Sequence, residues 1–184
     1  MLPLRHSLLF LALPLFAQRS IPIENEFVRV LVVVDQHADK PGALHEHKEN
    51  RVMIYLDPAD INIRYKEPGP GRKDEDQHWK AGAVAWSPLG GLHTSQHTSA
   101  ASARIVEIEL RKPAAAKPNG TTLSSSAPKD TVLDNPQVRV YRSSTAPAAG
   151  SNYVAVDAQT AETTWNRLPA GPGPFVITLL KESR

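Results

Sequence analysis

The apolar residues of the chain fall into short segments rich in Val, Ile and Leu, separated by polar or Gly- and Pro-containing stretches. Several segments alternate apolar and polar side chains with a period of two, as half-buried strands do. No segment keeps a helical period over the length of a helix. The pattern predicts an all-β fold, a sandwich or a barrel. Strands are predicted at residues 27–34, 51–56, 61–66, 83–86 and 104–110.

A small, polar and Pro-rich stretch, residues 113–129, is typical of a linker. It separates a first β unit, residues 20–112, from a second, shorter segment, residues 130–184. At about 55 residues the second segment would be marginally stable alone. We therefore expect it to pack on the first unit or on another chain, as in a homodimer.

The second segment repeats part of the first. The sequence ENEFVRV at 24–30 is echoed by DNPQVRV at 134–140, and RIVEIELRK at 104–112 is echoed loosely by PFVITLLKE at 174–182. All seven histidines of the chain lie at or before His97, so the second copy has none. Any histidine chemistry is therefore expected in the first unit.

The first 17 residues have the features of a signal peptide. Arg5 precedes an apolar run over residues 7–16, and Ala17 supplies a small residue for cleavage, although Leu15 at the third position before the cut is larger than usual. The run is shorter than the roughly 20 residues of a membrane span. We expect cleavage after Ala17, export to the periplasm or the medium, and no membrane span in the mature protein.

Composition narrows the classes of function. The formal net charge is +2 and basic residues are not clustered, which argues against a nucleic-acid partner. The absence of cysteine excludes disulfides, thiolate metal sites and cysteine nucleophiles.

A group of potential metal ligands precedes the strand at 51–56. If residues 45–49 are extended, His45, His47 and Glu49 point to the same side. Neutral imidazoles with an oxygen ligand suit Zn, Fe, Ni, Cu or Mn. A further ligand has to come from elsewhere in the chain, and His93, which follows a Pro-Leu-Gly-Gly turn, is a candidate.

Two spaced motifs resemble those of the cupin superfamily, small β-barrels of the jelly-roll type. The second cupin motif, Gly-x5-Pro-x-Gly-x2-His, is met in full, and the His-x-His of the first motif follows a Pro-Gly pair. The resemblance covers about residues 22–112. The matching residues are Pro41, Gly42, His45, His47, Gly82, Pro88, Gly90 and His93.

The resemblance implies that His45, His47 and His93 hold a divalent metal ion on the inner face of the barrel. The family's usual carboxylate ligand lies four or five residues after the second histidine, where this chain has Arg51 and Val52; Glu49 is the nearest substitute. An arginine there would repel a cation or bind an anionic ligand.

His97 stands where the family often has Asn. We expect it to be a structural or rim residue rather than a metal ligand. Arg51 and His97 are the candidate contacts for a bound small molecule.

Three functions remain open from the sequence. The first is an exported cupin-type protein that binds a divalent metal and a small ligand. The second is a metal-dependent enzyme, since dioxygenases, isomerases and decarboxylases occur in the superfamily. An alternative of the same rank is a module that binds a small ligand without a metal. The third, a structural or partner-binding protein, rests only on the linker and the repeat. The fold does not choose among them, because one fold hosts many functions.

Overall fold

The computed structural model describes residues 18–70, 72–111 and 127–180, and these residues form strands and connecting segments without a helix. The strands of the first unit, in chain order, are β1 Gln18–Glu24, β2 Val28–Asp35, β3 Asn50–Tyr55, β4 Ala59–Tyr65, β5 Glu75–Trp79, β6 Ala83–Ser87, β7 His93–His97 and β8 Ala103–Leu110. Those of the second are β9 Thr131–Asp134, β10 Val138–Arg142, β11 Tyr153–Val156, β12 Thr163–Trp165 and β13 Phe175–Leu179.

The first unit consists of two antiparallel sheets that face each other. Sheet A has the strand order β1-β2-β8-β3-β6, and sheet B has the order β5-β4-β7. Tyr55 and Ile105 of sheet A pack on Ala59 and Ile61 of sheet B, so these inner faces enclose the interior of the unit. The all-β prediction is confirmed.

An irregular segment completes the edge of sheet B. Residues 38–45 run along β7, where the backbone amides of Ala38, Gly42 and His45 donate to the carbonyl oxygens of His97, Ser95 and His93 at 2.9, 2.8 and 2.9 Å. This segment therefore covers the edge of β7 with main-chain hydrogen bonds and carries His45 to the site described below.

The second unit forms one sheet, sheet C, with the order β12-β11-β13-β10-β9. Strands β2, β3 and β8 alternate, so that Val30, Val52 and Ile108 point away from sheet B and join a core with Val140 and Phe175 of sheet C. At the margin, the ring of Phe27 stacks on that of Trp165 with centroids 5.9 Å apart. Sheets B, A and C thus form three layers, with sheet A in the middle.

The echoed sequences adopt the same local structure. The Asn25 side-chain oxygen accepts hydrogen bonds from the amides of Phe27 and Val28, and that of Asn135 accepts from Gln137 and Val138. Both turns lead into a strand, β2 or β10, that pairs antiparallel with the last strand of its unit, β8 or β13. The repeat therefore extends from sequence to strand pairing.

Several predicted boundaries need correction. β1, β5 and β7 were not predicted as strands. β1 begins at Gln18, before the predicted start of the unit at residue 20. Residues 45–49 are not the extended strand assumed for them, since His45 forms only an isolated bridge and His47 belongs to no strand.

The predicted signal segment and most of the predicted linker lie outside the described residues. No helix within the described part of the chain is long and apolar enough to span a membrane.

Candidate metal centre

Three histidines come together at one end of the first unit. One nitrogen atom from each of His45, His47 and His93 lies within 4.8 Å of the others, a group that could hold a metal ion. Their ring centroids are 4.9 Å apart for His45 and His47, 4.6 Å for His45 and His93, and 5.2 Å for His47 and His93. The structure thus brings together the three histidines chosen from the sequence.

Main-chain hydrogen bonds place two of these histidines. His45 and His93 form a reciprocal antiparallel bridge, with both N···O distances 2.9 Å, which puts the two side chains on one face. Nδ1 of His45 lies 2.8 Å from the carbonyl oxygen of Ala43, and Nδ1 of His93 lies 2.7 Å from that of Gly91. A carbonyl can only accept, so each ring carries its proton on Nδ1, which leaves Nε2 free to bind a metal.

The Gly90–Gly91 turn is hydrogen-bonded to two of the three histidines. The amide of Gly90 donates to the carbonyl of His47 at 2.7 Å, while the carbonyl of Gly91 accepts from His93. Both glycines have positive φ, 87° and 80°. A Cβ on Gly91 would lie 2.8 Å from Cε1 of Tyr65, so this turn requires glycine for its space as well as for its backbone conformation.

Two of the histidines, His47 and His93, are held in the neutral form that binds metals. Burial, followed by the positive charges of Arg51 and the other two histidines, lowers the pKa of His47 to about 3. Burial also lowers the pKa of His93, which the hydrogen bond to Gly91 partly opposes. Protons therefore compete weakly with a metal ion for these nitrogens.

Arg51 lies inside the unit, not at its rim. Its Nη1 donates to Oε2 of Glu107 at 2.9 Å and its Nη2 to Oγ of Ser87 at 2.8 Å. The two charged side chains are only 7% and 11% exposed. Glu107 therefore neutralises the arginine that stands near the position of the usual cupin carboxylate, and the terminal nitrogens of Arg51 are engaged inside the unit.

Two other predicted residues behave differently from the trio. Glu49 is half-buried and is not part of the group of ligand atoms within 4.8 Å. His97 is 2% exposed, so it is a buried residue and not a rim residue. Neither ring nitrogen of His97 has a hydrogen-bond partner among the described residues.

The interior also holds polar groups that the sequence analysis missed. Glu107 is buried beside Arg51. Burial raises the pKa of Asp35; the charge of His97 partly opposes this rise, and the charge of Glu107 adds to it. Burial likewise raises the pKa of Tyr55. The alternation in RIVEIEL, residues 104–110, could have identified Glu107 as an inward-facing residue, because it lies two positions after the inward-facing Ile105.

Comparison with known proteins gives similarity at the level of fold. A cupin domain from Bordetella pertussis Tohama I shares 18% identity with this chain, covering 52% of this chain and 94% of its own, with a TM-score of 0.44. A cupin family protein with a double-stranded β-helix fold from Methanocaldococcus jannaschii shares 11%, covering 60% and 92%, with a TM-score of 0.41.

A cupin superfamily protein from Desulfitobacterium hafniense shares 12% identity, covering 60% of this chain and 95% of its own, with a TM-score of 0.41. No family model matches the chain, and no curated protein matches it. At these identities and TM-scores the similarities assign neither a ligand nor an activity to this chain.

Proposed function

We propose that this chain is an exported cupin-type protein that binds one divalent transition-metal ion through His45, His47 and His93, and a small ligand beside the metal. The observation that carries the proposal is the convergence of three imidazoles, two of which have their Nδ1 protons directed to backbone carbonyls. Such outer hydrogen bonds fix the tautomer and the orientation of metal-binding histidines.

A three-histidine set leaves coordination positions open. Zn, Fe, Ni, Cu and Mn all accept imidazole ligands, so the metal bound would depend on supply as much as on affinity. A metal with open positions supplies Lewis acidity or, for redox-active ions, oxygen chemistry. Glu49 would have to move towards the trio to serve as a fourth ligand, and it remains a prediction.

Binding is favoured here over catalysis. The buried carboxylate of Glu107 is held in an ion pair by Arg51, and a base engaged in an ion pair is poorly placed to take a proton. The interior nonetheless offers polar side chains on its walls, as small-molecule sites do.

Metal analysis of the purified full chain tests the proposal. The chain is made without chelators or nickel resin, and bound metals are counted by mass spectrometry. We expect about one metal per chain, and almost none in His45→Ala and His93→Ala. His78→Ala is the matched control, because His78 is exposed, pairs with Asp60 on the neighbouring strand β4, and is not part of the three-histidine group. Unchanged metal content in His45→Ala and His93→Ala would contradict the assigned site.

Export is a separate part of the proposal. Its support is the signal-like sequence of residues 1–17. Intact-mass analysis of the protein from a bacterial periplasmic fraction tests it. A chain starting at Gln18 is expected, and a chain that keeps residues 1–17 in the cytoplasmic fraction would contradict export.

A further inference from the structure

Asn50, the first residue of β3, lies where the ladder between β3 and β6 ends. β6 ends at Ser87, and Pro88 has no amide hydrogen with which to continue the ladder. The side chain of Asn50 takes over, because its Oδ1 accepts a hydrogen bond from the next amide, that of Leu89, at 2.8 Å. Asn50 therefore fixes the residue that precedes the Gly90–Gly91 turn.

This turn passes the constraint on to two of the histidines. The amide of Gly90 donates to the carbonyl oxygen of His47 at 2.7 Å, and the carbonyl oxygen of Gly91 lies 2.7 Å from Nδ1 of His93. Leu89 directly precedes Gly90 in the chain. A displacement of Leu89 would therefore move the main-chain groups that orient both histidines.

The other end of the Asn50 side chain reaches the second unit, where its Nδ2 donates to Oε1 of Gln137 at 2.8 Å. The main chain of Gln137 is fixed within its own unit, because its amide donates to Oδ1 of Asn135 at 2.9 Å and its carbonyl accepts from the amide of Leu180 at 2.7 Å. Because the amide of Leu89 can only donate, it also determines that Nδ2 of Asn50 faces Gln137.

The repeat shows that this link belongs to the side of the molecule that carries the histidines. Sheets A and C have the same strand order when β9, β10, β13, β11 and β12 are matched to β1, β2, β8, β3 and β6. Gln137 then matches Phe27, and Asn50 matches Asn152. A phenyl ring cannot accept the hydrogen bond that Gln137 accepts, and Asn152 instead accepts from Asn166 at 3.2 Å. The polar link is therefore made in one direction, from the second unit to the first.

We propose that Gln137 and Asn50 are positioning residues for His47 and His93 and act through the Gly90–Gly91 turn. The hydrogen bonds that connect them are all 2.7 or 2.8 Å long, and consecutive residues join one bond to the next. The second unit thus supports the histidine group as well as covering sheet A. The expected effect on metal affinity rests on the proposed metal site.

Hydrogen exchange followed by NMR tests the positioning in the metal-free full chain. Gln137→Leu removes the acceptor for Asn50, and we expect the Gly90 amide to exchange about five- to tenfold faster, as for the loss of one neutral hydrogen bond. Gln137→Glu keeps an acceptor oxygen and should exchange as the wild-type chain does. Asn152→Leu is the matched control, because it changes the matching residue of sheet C and should leave Gly90 unaffected.

Cobalt(II) titration of the same variants tests the consequence for the histidines, since the visible spectrum of the ion reports the arrangement of its ligands. We expect the affinity to fall about three- to tenfold in Gln137→Leu and in Asn50→Leu, less than for residues bonded directly to metal ligands. The double variant should bind as Asn50→Leu does, because both residues act along one series of bonds. Gln137→Glu and Asn152→Leu should keep the wild-type spectrum and affinity.

Equal exchange at Gly90 in Gln137→Leu and Asn152→Leu would overturn the inference. Faster exchange with an unchanged cobalt affinity and spectrum would also overturn it, because the turn would then not position the histidines. A wild-type chain that binds no cobalt would refute the proposed metal site alone. The positioning is then decided by the NMR signal of the Nδ1 proton of His93, which Gln137→Leu should shift or broaden and Asn152→Leu should not; equal signals in the two variants would refute it.

Discussion

Arg51 and Glu107 form a buried ion pair, 2.9 Å long, between adjacent strands of sheet A on the face that lines the interior. The arginine stands where the cupin pattern has a metal-binding carboxylate, and a carboxylate from another strand balances its charge. Because Glu107 neutralises Arg51, a positively charged side chain can lie in the wall of a proposed metal site.

Removing one member of this pair should be costly. Glu107→Gln leaves the charge of Arg51 buried without its partner, and we expect it to lower the free energy of unfolding by about 3 kcal/mol. Arg51→Met combined with Glu107→Leu should recover most of this loss, because neither charge then remains. Urea denaturation measures both. Asp76→Asn, in the exposed pair with Arg64, serves as control and should cost under about 1 kcal/mol. Similar losses for Glu107→Gln and Asp76→Asn would contradict the structure.

Gly91 is expected to tolerate no side chain. Gly91→Ala meets both a positive φ of 80° and a Cβ contact of 2.8 Å with Tyr65, and it displaces the carbonyl that orients His93. We expect weaker metal binding and a loss of stability of more than about 2 kcal/mol. Gly150→Ala is the control, since Gly150 has φ 86° and nothing within 4 Å of a Cβ.

Gly150→Ala should therefore show only the cost of its backbone conformation, about 1 kcal/mol, with unchanged metal binding. Thermal unfolding and metal titration of the two variants separate the cost of the positive φ from the cost of the Cβ contact with Tyr65. Equal effects of the two substitutions would mean that Tyr65 does not crowd Gly91.

The metal-free protein should lose stability in mild acid. The pKa of His47 is lowered from 6.5 to about 3, and that of His93 is also lowered. Below pH 6.5 the unfolded chain therefore binds protons that the folded chain does not, so the free energy of unfolding falls as the pH falls towards 3. The range from pH 6.5 to about 5 separates this effect from the Asp carboxyls with lowered pKa, whose contribution is lost from about pH 5 downwards as the unfolded chain takes up protons. The raised pKa of Asp35 acts in the opposite direction, because there the folded chain binds the proton more tightly than the unfolded chain does.

Urea denaturation in the presence of a chelator, at several pH values, measures this dependence. His47→Gln should flatten the curve between pH 6.5 and about 5, because the variant has no imidazole at that position. A curve as steep as that of the wild-type protein would show that His47 is not held neutral.

His97 offers a different test of the interior. The ring is 2% exposed and both nitrogens lack partners among the described residues, which makes its burial unfavourable. His97→Leu should raise the free energy of unfolding by about 1 kcal/mol and leave the metal content unchanged. A loss of stability would show instead that a bound water or ligand satisfies the ring in solution.

The sequence predicted the parts of this molecule that local patterns determine. Short segments rich in Val, Ile and Leu predicted four of the five strands of sheet A, β2, β3, β6 and β8, to within one residue at each end, because this sheet is the middle layer and both of its faces contact apolar side chains. The spacing of His45, His47 and His93 identified the trio. It did not give the correct local conformation, since His45 and His47 converge through a bridge to β7 and a glycine turn rather than through a strand.

What the sequence missed depends on contacts between distant residues. The strand β7, HTSQH, has no apolar alternation, since its inward side is polar. The partner of Arg51, Glu107, is 56 residues away in the sequence, so no local pattern could have indicated the pair.

The apolar side of sheet A is covered by Val140, Phe175 and their neighbours from the same polypeptide. A tethered cover of this kind acts at a local concentration that is fixed by the connecting chain, on the order of millimolar for short flexible linkers. A second copy of the protein that covered the same face of sheet A would dissociate on dilution. The stability of the first unit should therefore be the same in a dilute sample as in a concentrated one.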